Sequence, residues 1–337
     1  MAATRPVEVF TAGCPVCDHT TELVKMTARP STIRIRSVRL AAVVGAVMSL
    51  VADVAAAGPI TFLTALPVPQ GQGVIRGQFV FVRASDDPTD AARELTVTAV
   101  PVAAAVGVTP RLAIFGIVPI VKKSMTAESP TGRTTRGATG LGDAVAFARY
   151  TVYAADTPNS TFRIASFAGF ETPTGRTDAS DAVGRLPRAL QPGSGSWDPL
   201  AGVAVTLQTK PWELDADVGY KRNTQADGVR FGDELFADVS FQYRVWPRDL
   251  GSGVPAFLYA VVETNLFAQG RSEHAGARDP DSGGRRWDVD LGLQYVTTRV
   301  IVEGIVQIPV VDKPHGTGLR SDVRLTAGVR WNVALPF

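Results

Sequence analysis

Few side chains in this 337-residue sequence are suited by type and spacing to covalent or acid–base chemistry. Cys14-Pro-Val-Cys17 has the spacing of a redox pair or of half a metal site, but no second pair of ligands stands nearby. His274 and His315 are the remaining candidates for proton transfer, and both sit among Gly, Asp and Arg in stretches that read as loops. Ser–His hydrolysis needs the two side chains on neighbouring strands within hydrogen-bond reach. A lipid hydrolase is therefore the one enzymatic alternative, and it would lose activity on His274→Ala or His315→Ala. Gly137 to Asp143 is glycine-rich but lacks the Lys-Ser/Thr of a phosphate loop, and Asp279-Pro-Asp-Ser-Gly283 is an acidic turn without a full ligand set. No catalytic residue, metal or cofactor is expected.

The remaining chemistry is electrostatic and follows a period of two. In 212–221, Trp212, Leu214, Ala216, Val218 and Tyr220 alternate with Glu213, Asp215, Asp217, Gly219 and Lys221. In 235–245, Leu235, Val239, Phe241 and Tyr243 alternate with Asp238, Ser240, Gln242 and Arg244. In 287–295, Trp287, Val289, Leu291, Leu293 and Tyr295 alternate with Asp288, Asp290, Gly292 and Gln294. From Val323 to Phe337 the odd positions are apolar while Arg324, Thr326, Arg330 and Asn332 form the other face. A helix would mix these sets around its circumference, whereas a strand separates them.

Weaker alternation marks further strands at about 74–84, 94–106, 110–122, 143–154, 161–171, 199–208, 257–268 and 299–309. The strands at 94–106 and 110–122 are apolar on both faces, so their facing is open. The total is about twelve, an even number, as single-chain outer-membrane barrels have. Connections alternate in length: short at 108–110, 156–159, 209–211, 246–255 and 297–298, long at 85–93, 123–142, 172–198, 222–233, 269–286 and 310–322. That is the pattern of short periplasmic turns and long outer loops. Trp197, Trp212, Trp246, Trp287 and Trp331 all fall at or near strand ends, where aromatic girdles meet the headgroups. The fold class is all-β, a transmembrane antiparallel up-and-down barrel.

Alternation alone does not say which face meets lipid. The N-terminus decides for the membrane. Arg34, Arg36 and Arg39 precede the apolar run Leu40–Val51, and small residues follow at Ala55, Ala56 and Ala57. A basic region, a short apolar core and an Ala-x-Ala site make a secretory signal, with cleavage expected after Ala57. The run is shorter than the roughly 20 residues of a spanning helix. The domains are then 26–57 as signal peptide and 58–337 as barrel, with 1–25 as a mis-called start or a thioredoxin-like remnant. Residues 1–25 resemble a truncated thioredoxin-like N-terminus in Val7 to Val24, but the other strands and helices of that fold have no place before the signal.

Lipid outside puts the polar faces inward. The lumen-lining candidates are Arg149, Arg163, Glu213, Asp215, Asp217, Asp238, Arg244, Glu263, Asp288, Asp290, Glu303, Arg324 and Arg330. They would set a selectivity field across a pore, or pair into a lattice that fills a narrow barrel. Arg76 and Lys221 join them. A net charge of +2 and the lack of a Lys/Arg run exclude a nucleic-acid surface.

Several stretches carry a family resemblance: Phe62-Leu-Thr-Ala-Leu-Pro67, Arg83-Ala-Ser-Asp-Asp-Pro88, Gly140-Leu-Gly-Asp143 with Ala148-Arg-Tyr150, Glu171-Thr-Pro-Thr-Gly175, Gly193-Ser-Gly-Ser-Trp-Asp-Pro199, and Gln294-Tyr295 with the terminal Phe337. Over about 60–337 the chain resembles the outer-membrane transporters of the meta-pathway phenol-degradation family. The resemblance implies a channel or transporter for small, often hydrophobic or aromatic, solutes in the outer membrane of a Gram-negative bacterium. It also implies recognition of Phe337 by the barrel-assembly machinery, with Pro336 a departure that removes a ladder donor. A structural or adhesive barrel without conductance is the alternative.

Overall fold

The computed structural model describes residues 57–129, 132–249, 256–335. Residues 1–56, which hold all of the signal region except Ala57, and Pro336 and Phe337 lie outside them. Thirteen strands form one antiparallel sheet: β1 Gln72–Asp86, β2 Glu94–Gly107, β3 Leu112–Ser129, β4 Gly132–Leu141, β5 Ala144–Thr157, β6 Ser160–Thr172, β7 Asp198–Thr209, β8 Trp212–Lys221, β9 Glu234–Trp246, β10 Ala256–Gln269, β11 Gly284–Thr297, β12 Val300–Pro314 and β13 Arg320–Ala334. Each pairs with its neighbours in sequence except that β4 and β5 both pair with β3 and not with each other, and β1 pairs with β13, which closes the sheet. Strands β4 and β5 both run antiparallel to β3 and act as one stave interrupted at Gly142-Asp143, so the barrel has twelve staves. Closure satisfies the backbone ladder all the way round, which a lipid environment demands.

Burial settles the facing that alternation left open. On β11, Asp290 and Gln294 are fully buried, while Leu291 and Leu293 on the same strand are 57% and 56% exposed. On β8, Asp215 is fully buried and Val218 is 48% exposed. A protein in water would reverse both assignments. The exposed face carries Leu, Val, Ile, Phe and Tyr from every stave, with Trp197, Trp246, Trp287 and Trp331 exposed at its rims. This is an outer-membrane barrel, turned inside out relative to a soluble fold.

One outer connection differs from the sequence reading. Residues 123–142 are expected as a loop, yet β3 and β4 carry the ladder through them, with register partners from Ile120 and Leu141 out to Ser129 and Gly132. Above the membrane neither face of a hairpin meets lipid, so both are polar there and the composition looks like a loop. The outer connection from 173 to 197 is folded as a lid. Gln191 is buried at its centre, accepting from the Ala179 N–H at 2.8 Å and donating to the Ala179 and Leu186 carbonyls at 3.0 Å each. Leu186 and Leu190 pack against Leu95, Met125 and Ala138 beneath. Lys123 Nζ donates to the Gln191 carbonyl at 2.8 Å and ties the lid to β3.

Candidate functional site in the barrel lumen

All thirteen candidate residues lie on the face turned away from lipid. Eleven are buried, and Arg324 and Arg330 are half-buried. Only a minority of these residues join ion pairs. Glu303 takes Arg330 at 2.7 Å and is shared with Arg76. Arg163 meets Asp156 at 2.7 Å, and Asp288 meets Arg286 at 2.8 Å. Lys221 bridges Glu171 and Glu234 at 3.1 and 3.2 Å.

Three of the others, Arg149, Asp217 and Glu263, bond directly to an element that sequence reasoning missed. Residues 58–71, just before β1, enter the lumen as an arch without regular secondary structure apart from a single bridge at Gln70. Ala57, the last residue of the expected signal, lies against Phe257, Val296 and Ile301, and Ile60 of the arch packs with Val261 and Ile305. Ala65 crosses to Ala165 and Ala204, and Val68 comes to rest against Ala105 and Ala113. The arch thus springs from the β10–β12 wall and returns to β2–β3.

An irregular segment has no partner for its N–H and C=O groups, and in a buried place each must find one. The lumen side chains supply them by sign. Carboxylates and hydroxyls take the donors: the Ile60 N–H donates to Glu263 Oε1 at 2.6 Å, the Thr61 N–H to Glu263 Oε2 at 3.1 Å, and the Ala65 N–H to Thr206 Oγ1 at 2.8 Å. Thr206 in turn donates to Asp215. Guanidinium and amide groups take the acceptors. Arg149 donates to the Thr64 and Leu66 carbonyls, Arg330 to those of Gly58 and Pro59, and Arg76 to that of Ile60. Gln294 and Gln78 add bonds to Gly58 and Ile60 at 2.6 and 3.0 Å. Gln78 and Thr206 escaped the sequence reading, and Gln294 was placed on a polar face but not among the candidates, because only charge drew attention to the inner face.

Most of the polar groups occupy one side of the lumen, Arg149 on β5 being the exception. On the other, β2, β3 and β5 turn Pro101, Ala103, Ala105, Phe115, Ile117, Val145 and Phe147 inward, which is why these strands look apolar on both faces. Between this sector and the arch lies a cavity of about 640 Å³. Phe62, Leu63 and Leu66 of the arch contribute to its wall, as do Phe167, Phe236 and Phe267. Aromatic rings run along it: Phe115 stacks on Phe147 at 4.6 Å, Phe147 meets Phe167 edge-on at 6.1 Å, and Phe167 stacks with Phe236 at 6.4 Å. The rings lie flat because glycines face them. A Cβ at Gly202 would overlap Phe167, and one at Gly219 would overlap Phe236. Arg149 lies over Phe115 at 4.8 Å, joining the aromatic row to the arch.

Among solved structures, an outer membrane channel from Pseudomonas putida F1 is similar with a TM-score of 0.60 at 13% identity, over 82% of this chain and 100% of that one. A CymD monoaromatic hydrocarbon channel (TM-score 0.34, 10% identity, 80% of this chain and 89% of that chain) and a Pseudomonas aeruginosa FadL homologue (TM-score 0.32, 10% identity, 78% and 89%) are more distant and carry no weight here. No curated protein matches the chain. Residues 89–320 match the family described as "Putative MetA-pathway of phenol degradation", a span from the start of β2 to the start of β13, and the chain belongs to that family.

Proposed function

We propose that the protein is an outer-membrane channel that passes small hydrophobic, including aromatic, solutes and catalyses no reaction. The observation that carries this reading is the apolar inner sector of β2, β3 and β5. A water-filled pore for ions has no use for Phe115, Ile117 and Phe147 on its lumen wall, and burying them there favours an apolar occupant. The similar protein from Pseudomonas putida is itself an outer membrane channel. Hydrolysis finds no support: His315 Nδ1 meets the Ser282 carbonyl at 3.0 Å, not a hydroxyl, and His274 lies 3.8 Å from Asp279 in an outer loop. Four of the thirteen inward residues, Arg149, Asp217, Glu263 and Arg330, hold the arch directly, and the ion-pair lattice is local. We further assign 26–57 to export, 58–337 to the barrel, and Phe337 to recognition by the assembly machinery.

The test is uptake of a small radiolabelled aromatic hydrocarbon by cells with and without the protein. Wild type should accelerate uptake, and Ala103→Trp, which fills the cavity wall, should slow it several-fold. Equal uptake with and without the protein would overturn the reading.

A further inference from the structure

The outer rim carries a pair of charges that the lumen does not explain. On β11 the odd positions face lipid, from Tyr295, Leu293 and Leu291 up to Trp287, and the next outward residue is Arg285. Arg285 is the register partner of Lys313 on β12, as Trp287 is of Val311. Both cations are exposed, and they stand directly above an exposed Trp of the kind that marks the headgroup level. Side chains directly opposite on paired strands have Cβ atoms about 4.5–5.5 Å apart, and like charges placed so repel one another. No carboxylate pairs with either side chain among the described residues. The neighbouring acids are engaged elsewhere: Asp288 with Arg286 on the inner face, Asp312 with the Ser321 N–H at 2.6 Å, Asp281 with the Thr317 N–H at 2.7 Å. On the other side of β11, the register partner of Arg285 is Ala268, which is uncharged. By contrast, Arg83 on β1 and Arg133 on β4 share Glu94, and Arg320 meets Asp86.

A like-charged pair without a counter-charge, at headgroup height and turned to lipid, is complementary to an anion held in the membrane surface. The guanidinium offers two parallel N–H donors to phosphate oxygens, and the ammonium adds a point charge. Beneath the pair, Trp287, Leu291 and Ile308 form the exposed apolar wall on which the same lipid's chains can lie. The outer leaflet of a Gram-negative outer membrane presents its phosphates chiefly on lipid A. We propose that Arg285 and Lys313 together bind a phosphate of lipid A, a lipid site on the outside of the barrel that is separate from the solute's cavity.

The experiment uses the full exported protein in detergent micelles. Native mass spectrometry counts retained lipid, and heat-shifted gel mobility reports that each barrel is folded. The probes are lipid A with both phosphates and the same lipid A with both removed, and inorganic phosphate is the competitor. Wild type should hold the phosphorylated lipid at least about tenfold more tightly than the stripped one. The double variant R285Q/K313Q should lose that preference while retaining the stripped lipid as wild type does. R285K should keep part of the preference, because the charge remains and the fork does not. K122Q is the control: Lys122 is an outward lysine on β3 whose register partners, Thr98 and Thr139, are neutral, and its loss should leave the preference intact. Equal retention of the two lipids by wild type overturns the proposal. So does a preference that survives in the double variant, the result expected if both cations only reach into water. Displacement of lipid A by an equal concentration of inorganic phosphate overturns the assignment to a lipid. A loss in K122Q as large as in the double variant overturns the assignment to this pair, because surface charge at large would then set the preference.

Discussion

At the scale of single residues, several lumen charges act as backbone partners for the arch. Arg149 is the clearest case, because one guanidinium serves both the Thr64 and Leu66 carbonyls while its face rests on Phe115. Arg149→Ala removes both donors and leaves two buried carbonyls unmet. The expected cost is about 3 kcal/mol in urea unfolding of the barrel in vesicles, with larger and more frequent current steps in a planar bilayer. Arg149→Lys keeps the charge but not the fork, so it should restore only part of either. Outside the membrane, Asp87 shows a different use of charge. Its carboxylate accepts from Arg93 Nη2 at 2.6 Å and from the Thr89 N–H at 3.0 Å. Arg93 above all holds Asp87 well below the usual carboxylate range. A lowered folded value means that the loop's stabilisation is fully present above the ordinary Asp value of about 3.9 and is lost only as pH falls through the lowered one. Exchange protection of the Arg93 amide, which also binds Asp87, should therefore persist at pH 4 in wild type and be absent in Asp87→Asn at every pH. Loss of protection in wild type already at pH 5 would contradict this.

At the scale of elements, the twelve staves were legible because a half-lipid, half-lumen strand imposes a period of two. Trp287 to Tyr295 and Val323 to Val333 show it plainly. Where a physical setting removes the contrast between faces, the period fades. That happens on β2 and β3, whose inner faces line the apolar cavity, and again at 123–142, where the hairpin stands clear of lipid. The arch has no period at all. It is uncharged from Ala57 to Gln72, punctuated by Pro59, Pro67 and Pro69, and its bonds are made by its backbone. A stretch of that kind between an export signal and the first strand looks like a linker, and its partners can be read only from where the lumen side chains point. The charged candidates were legible by residue type, but the task that four of them share was not, because that task is set by an element distant in sequence: Glu263 meets Ile60 across 203 positions. Deleting residues 58–70 should leave a folded barrel, since no stave ladder passes through them, and should raise single-channel conductance at least several-fold. Unchanged conductance in a folded deletion variant would mean that the lid at 173–197, with Gln191 at its centre, and not the arch, limits the passage of ions.

For the molecule as a whole, the decisive property is inversion. Leu291 and Asp290 are neighbours on β11, and the barrel exposes the first and buries the second completely. Water would select the opposite, so the fold is stable only where the outer solvent is hydrocarbon. This gives opposite signs to substitutions that a soluble protein would rank the other way. Leu291→Arg changes an exposed residue, which in water costs almost nothing. On a lipid-facing stave near the membrane's middle it should cost about 2–4 kcal/mol. The same change at the outer rim, Trp287→Arg, should cost less, because an arginine there reaches the headgroups. Reversible urea unfolding in thin-chain lipid vesicles, followed by tryptophan fluorescence, measures Leu291→Arg directly, with circular dichroism following Trp287→Arg, which removes one of the fluorophores. A depth-dependent penalty, large at Leu291 and small at Trp287, is the outcome demanded by a membrane-spanning barrel. Equal and negligible costs at both positions would instead require that the apolar face be solvated or covered by protein, and would remove the basis for reading the inner face as a route for solutes.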